Sequence, residues 1–204
     1  MTLHLSHWQD VPRDCAQTVP GVGHGSDRVM DVSKRSTTAD QLRIEAALDA
    51  LLNPGARLLH VGVGNSSLAG RFASRCEHIV GLTLRGAEKR HGDSLAIAGY
   101  SIEVLNKHSA DLDALDGAFD FIVDNNLSGF ACCIRHFELM LANYARLLLP
   151  GGLILTDRVG MQWTYRNGPM RLGYEDLETI ARSFPFAALR ISGDVFALRR
   201  CADQ

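Results

Sequence analysis

One segment constrains this chain more than any other: residues 57–67, RLLHVGVGNSS. A short apolar run ends in Gly62 and Gly64, followed by Asn65, Ser66 and Ser67. An apolar strand that breaks into a glycine turn and then a helix is the opening of a βαβ unit. Neither glycine carries a Cβ, so the backbone of such a turn can approach a ligand closely.

The rest of the chain repeats the alternation. Thr38 with Gln41 three residues on predicts a capping box for a helix over TADQLRIEAALDALL, with Ile44, Leu48, Leu51 and Leu52 at helical spacing. NPG stops it. After the glycine turn, SLAGRFASRC reads as a helix, HIVGLT as a strand, GAEKRHGDSLAIAG as a helix and YSIEVL as a strand. FDFIVD is a further strand, and CCIRHFELMLANYARLL is a long amphipathic helix ended by a Pro-Gly-Gly turn. LILTD, the helix YEDLETIARSF, and a hairpin of AALRI and VFALRR around Ser192-Gly193-Asp194 complete it. This order predicts an α/β, doubly wound, Rossmann-like sheet of seven strands, mostly parallel, with an antiparallel C-terminal hairpin. Residues 1–36, rich in Gly, Ser and charge toward their end, read as an arm or lid before a domain over 37–204.

Composition narrows the partners. The 204 residues carry a formal charge of −2, and no Lys/Arg run exceeds two residues. That argues against a backbone-tracking nucleic-acid binder. The start, MTLHLSHWQD, has neither the basic nor the apolar region of a signal peptide, and no stretch reaches the ~18 apolar residues of a membrane helix. These features predict a cytoplasmic protein without membrane contact. The oligomeric state, monomer or homodimer, stays open. Five cysteines, Cys15, Cys76, Cys132, Cys133 and Cys201, contain no C-x-x-C pair, so reduced thiols are expected rather than disulfides or a metal site.

A dinucleotide fingerprint needs a third glycine where Ser67 stands, and an acid about 20 residues on where Thr83 stands. Several motifs, in order, instead resemble the class I S-adenosylmethionine-dependent methyltransferases: LLHVGVGNSSLA, HIVGLTL, DGAFDFIVDNN and ANYARLLLPGGLILTD. The resemblance covers most of residues 38 to 200. It implies S-adenosylmethionine as cofactor, S-adenosylhomocysteine as product and a terminal antiparallel pair. The family usually has an acid at His60 and another at Thr83, whereas G-[VIL]-T-L, as here, occurs in cyclopropane-synthase-like members.

The resemblance also implies residue roles. His60, Gly62, Gly64, Asn65 and Ser66 are expected to hold the methionine end of the cofactor, and Thr83 and Leu84 the ribose. His108 and Asp111 fall near the adenine, although Asp111 serves equally well as a solvated helix cap. Asp124 ends strand four facing the methyl group, as a base or an orienting group, with Asn125 and Asn126 beside it to position the acceptor. His136, His108 and His24 are alternative bases, His24 within the arm. Asp157 and Arg158 are expected near the acceptor or each other, and Trp163 and Tyr165 as its wall. Asp124 and Asp157 match two ligands of the metal-dependent catechol-type enzymes, but Arg158 stands in the third place, so no metal is expected. The compact chain suits a small-molecule acceptor methylated on O or N. An RNA or protein methyltransferase, and a cofactor-binding protein without catalysis, are the alternatives.

Overall fold

The computed structural model describes residues 3–5, 8–15, 31–164 and 169–202. Seven strands form one sheet in the order β3-β2-β1-β4-β5-β7-β6. They are β1 (Ala56–Val61), β2 (Cys76–Thr83), β3 (Tyr100–Val104), β4 (Phe119–Asp124), β5 (Leu148–Asp157), β6 (Phe186–Ser192) and β7 (Val195–Arg200). The first five run parallel; β7 lies antiparallel between β5 and β6. Among the described residues six α-helices accompany them: α1 (Ala39–Leu51), α2 (Ser67–Phe72), α3 (Gly86–Ser94), α4 (Ile134–Leu147), α5 (Arg158–Met161) and α6 (Tyr174–Ser183). The doubly wound expectation therefore holds, hairpin included.

Period-two alternation divides the core. Leu58, Phe121, Val123 and Leu155 face α1 and α2, packing with Ile44, Leu48, Leu68 and Phe72. Their neighbours Leu59, Ile122 and Ile154 face α4 and α6, packing with Phe137, Met140, Leu177 and Ile180. A strand covered on both faces needs apolar residues at successive positions, which is why RLLHV and FDFIVD read as unbroken runs. From β1 the chain winds outward to β3, then crosses to β4 on the other side. The β1–β4 boundary is thus the switch point, where ligands bind such sheets.

Three local readings change. Helix α1 begins after Thr38, but no capping box forms; Thr38 hydrogen-bonds Asp40, and the Gln41 amide extends along the helix to Glu45 at 3.5 Å. Pro150-Gly151-Gly152 does not separate α4 from β5, because β5 already starts at Leu148. The tripeptide is accommodated in a bulge: Phe119 pairs with Leu148 and Phe121 with Leu153, so residues 149–152 oppose Asp120 alone. Gly151 takes a φ of +84° there.

The third change concerns the arm. Leu3, Leu5, Trp8 and Val11 are buried on the α4/α6 face. The Trp8 indole donates to the Arg171 carbonyl at 2.8 Å and lies 4.8 Å from the Phe137 ring. Four apolar side chains and a satisfied indole make residues 3–15, as far as they are described, a strap within the core rather than a separate lid. The sequence concealed this because an extended strap carries no helical period. No helix among the described residues is long and apolar enough to cross a membrane.

Candidate active site

A cleft of about 380 Å³ opens at the carboxyl ends of β1, β2 and β4. Its floor is the glycine turn. Gly62 has φ +80° and Gly64 φ +53°, both in the left-handed region, and a Cβ built on Gly62 meets nothing within 4 Å. Glycine is needed here for conformation, and the space beside it belongs to the cleft. Asn65, also lining the cleft, ties the turn down: its amide donates to the Arg35 carbonyl at 2.8 Å and its oxygen accepts from the Ser67 N–H at 3.1 Å. Ser66 is buried behind the turn, its hydroxyl 3.2 Å from that of Tyr100, and does not line the cleft.

His60, on β1, lines the cleft but is only 3% exposed. Burial lowers its pKa to about 4, so the imidazole is neutral near pH 7. Its Nδ1 has no hydrogen-bond partner among the described residues.

At the end of β2 the Thr83 hydroxyl donates to a carboxylate oxygen of Glu88 at 2.5 Å and accepts the Arg85 N–H at 3.1 Å. Glu88, in the first turn of α3, is 8% exposed and lines the cleft with Thr83 and Leu84. An acid therefore does stand beside the end of β2, supplied by the helix five residues on. Sequence reasoning missed it by testing only the strand's last position. An acidic residue in a helix's first turn was the available signal.

Strand β4 delivers Asp124, only 1% exposed, to the cleft wall. The buried Lys107 ammonium donates to both its oxygens, at 3.0 and 2.7 Å, and to the carbonyls of Asn126 at 2.7 Å and Leu127 at 2.9 Å. Tyr144 donates its hydroxyl to the same carboxylate at 2.9 Å. Burial pushes the Lys107 pKa down, against the pull of Asp124. Burial, then the Asp124 charge, pushes the Tyr144 hydroxyl well above its ordinary value. The carboxylate anchors a lysine that fastens the following loop. Lys107 sits within NKHSADL, next to His108, and no local pattern in that segment marks it as the partner of Asp124.

Those neighbours stand elsewhere. His108 is fully buried beneath the loop, Nε2 3.0 Å from the Gly129 carbonyl, its pKa lowered to about 3 by burial and then by Lys107. Asp111 is exposed and outside the cleft lining, in the first turn of a short 3-10 helix (Ala110–Ala114) whose N-cap is Ser109; the Ser109 hydroxyl accepts the Asp111 N–H and donates to its carboxylate, each at 2.9 Å.

Asn125 and Asn126 line the cleft. The Asn125 amide donates to Asp40 of α1 at 2.6 Å, and its buried oxygen has no partner among the described residues. Phe130 and Trp163 form the rim, ring centroids 5.2 Å apart, 38% and 41% exposed. Phe130 holds φ +65°, an uncommon conformation for a bulky side chain.

Asp157 and Arg158 lie outside the cleft lining, and each has its hydrogen-bonded ion pair with another residue. Asp157 is fully buried under the Arg43 guanidinium, with bonds of 2.8 and 2.7 Å, and also accepts the Val159 N–H. Arg158 pairs with Asp194 at 2.8 Å. Asp124 and Asp157 are thus paired with different cationic side chains, Lys107 and Arg43. His136 is outside the cleft lining too, among cysteines. His24 and Tyr165 lie outside the described residues.

A family model described as a methyltransferase domain matches residues 59–156, the stretch from the glycine turn through β5. Among solved structures, N-methyltransferase NodS from Bradyrhizobium japonicum WM9 superposes with a TM-score of 0.60 at 12% identity, covering 79% of this chain and 92% of that one. CalS10, a SAM-bound amino pentose methyltransferase from Micromonospora echinaspora, gives 0.56 at 18% identity, over 87% and 92%. Mycolic acid cyclopropane synthase CmaA1, complexed with SAH and CTAB, gives 0.56 at 19%, over 74% and 62%. A search of curated protein sequences finds no match. Residues 59–156 thus match a methyltransferase domain, and the fold of the chain is the one these S-adenosylmethionine-dependent methyltransferases share.

Proposed function

We propose that the protein transfers a methyl group from S-adenosylmethionine to an O or N atom of a small-molecule acceptor. The observation that carries this reading is the cleft itself. It combines a left-handed glycine floor, a Thr83–Glu88 acid at the ribose position and an aromatic rim, in a chain matching a methyltransferase domain. The two solved neighbours NodS and CalS10, whose names describe an N-methyltransferase and an amino pentose methyltransferase, favour the same class.

The residues fit this cofactor. Gly62 and Gly64 leave room for its methionine end, and the orphaned His60 Nδ1 offers a buried polar contact there. Glu88 accepts the ribose hydroxyls, held in place by Thr83. Bound there, S-adenosylmethionine supplies an electrophilic methyl group on a sulfonium. The chain's part is alignment: Asn125 and Asn126 orient the acceptor's nucleophilic atom, and Phe130 and Trp163 exclude water above it. Asp124 acts through Lys107 as a positioning residue for that loop.

Calorimetric titration with S-adenosylmethionine, S-adenosylhomocysteine and NAD tests the reading. Binding of the first two and not of NAD is expected, and Glu88→Gln should weaken both about tenfold by removing a charge-assisted hydrogen bond. Absence of binding to either sulfur compound defeats the proposal.

A further inference from the structure

Four side chains that take no part in the cleft converge at the start of α4. Cys15 comes from the strap, Cys132 and Cys133 from the loop before the helix, and His136 from its first turn. Their ligand atoms all lie within 4.8 Å of one another. His136 Nδ1 stands 3.3, 3.2 and 3.1 Å from the sulfurs of Cys15, Cys132 and Cys133. The Cys15 and Cys132 sulfurs are 3.5 Å apart, and those of Cys132 and Cys133 4.0 Å.

A ring nitrogen carries at most one hydrogen, so it cannot donate to three sulfurs at once. Three sulfurs and one nitrogen facing a common point are instead the donor set of a tetrahedral metal site. With zinc–sulfur bonds near 2.3 Å and zinc–nitrogen bonds near 2.0 Å, tetrahedral ligands stand about 3.5–3.8 Å apart. Five of the six separations, 3.1 to 4.0 Å, bracket that range, and the sixth, Cys15 to Cys133, is within 4.8 Å, so closing the set needs shifts of up to about an ångström. A disulfide would need its sulfurs about 2.05 Å apart, and Cys15 and Cys132 are at 3.5 Å.

The backbone brings the ligands together without the metal. The Ile134 N–H donates to the Pro12 carbonyl at 3.0 Å and the Arg135 N–H to the Arg13 carbonyl at 3.0 Å. The strap is therefore docked on the first turn of α4 just before it reaches Cys15. Cys133 is the residue preceding the helix, and His136 lies three residues on, so the two share a face.

We propose that Cys15, Cys132, Cys133 and His136 form a structural zinc(II) site that pins the N-terminal strap to the end of the β4–α4 loop. Three thiolates and an imidazole select a borderline-soft cation over magnesium or calcium, and a closed four-ligand set leaves no position for catalysis. The same loop contributes Asn125, Asn126 and Phe130 to the cleft. Zinc would thus fix the acceptor side of the site from outside it. Adjacent cysteines argued against a shared metal in the sequence; the distant Cys15 and the helical offset of His136 supply the missing geometry.

The test uses the full chain purified under reducing conditions without chelator. Elemental analysis should find about one zinc per chain. Metal-free protein titrated with cobalt(II) should develop thiolate-to-cobalt charge-transfer bands and the d–d bands of tetrahedral coordination. Cys132→Ser, at an exposed position, should weaken zinc more than ~100-fold while S-adenosylmethionine affinity stays within about twofold. Absence of zinc together with absence of cobalt bands in the reduced wild-type chain overturns the site, and needs no variant to fold. Full zinc content in Cys132→Ser, or a Cys15–Cys132 disulfide in place of metal uptake, overturns it as well.

Discussion

Two aspartates end neighbouring parallel strands of this sheet, Asp124 on β4 and Asp157 on β5. Both are buried and both answer a cation, yet they do different work. Asp124 meets a lysine that is itself buried, 8% exposed, and the pair forms part of the cleft wall. Asp157 meets Arg43, which is 37% exposed, and the pair clamps α1 to β5 and α5 outside the cleft lining. Position at a strand end does not assign a role. The partner does, and the partners come from residues 17 and 114 positions away.

The sharpest way to break this comparison is to remove each cation. Lys107→Met leaves Asp124 charged and buried with only Tyr144, and should destabilise the fold by about 3–5 kcal/mol in denaturant titration. Replacing both members, Lys107→Met with Asp124→Leu, should recover more than half of that loss, since an apolar pair needs no desolvation of charge. If the double variant is no better than the single one, the pair is not the source of the loss.

Acid offers the next test, because the cleft side also carries buried neutral histidines. His60 has its pKa lowered from 6.5 to about 4 by burial. Unfolded chains take up this proton below pH ~6.5, while the folded protein takes it up only near pH 4, so acid favours unfolding across that window. Stability should fall by about 3 kcal/mol from this group as pH drops from 7 to 4, and His60→Gln should flatten that part of the profile. An unchanged profile would mean that His60 is not held neutral.

Arg43→Ala should cost less, about 1–2 kcal/mol, because solvent reaches the guanidinium and the Val159 N–H still serves Asp157. Its S-adenosylmethionine affinity should stay within about twofold; a larger change would join the two pairs functionally. The smallest effect is expected at the rim. Phe130→Ala should raise the acceptor KM several-fold, about 1 kcal/mol, with kcat and cofactor affinity nearly unchanged. Once an acceptor is identified, steady-state kinetics reads this directly.

Most of the fold was legible in the residues. Apolar runs such as RLLHV and FDFIVD require burial on both faces, and their alternation with amphipathic segments leaves little besides a doubly wound sheet. The glycine floor was legible too, because few other residues tolerate the left-handed turn at Gly62 and Gly64. Less of the site was. His60, Asn65, Thr83, Leu84, Asp124, Asn125, Asn126 and Trp163 line the cleft with the glycines, whereas Ser66, His108, Asp111, His136, Asp157 and Arg158 do not. Those that fall away sit one residue out of phase on a turn, behind a loop, or in a pair with a distant charge. Glu88, Lys107 and Phe130 went unread because their importance lies in what they touch.

What the sequence determined by itself was periodicity, turn chemistry and the order of the elements, since these depend on residues within a few positions of one another. What only the tertiary structure decided was pairing. Lys107 with Asp124, Arg43 with Asp157, the strap against α4 and Cys15 among Cys132, Cys133 and His136 are all contacts across long stretches of chain. No local pattern encodes them. A buried charge or thiol takes its chemistry from whichever neighbours the packed core brings to it, and those neighbours exist only after the sheet has closed on both its faces.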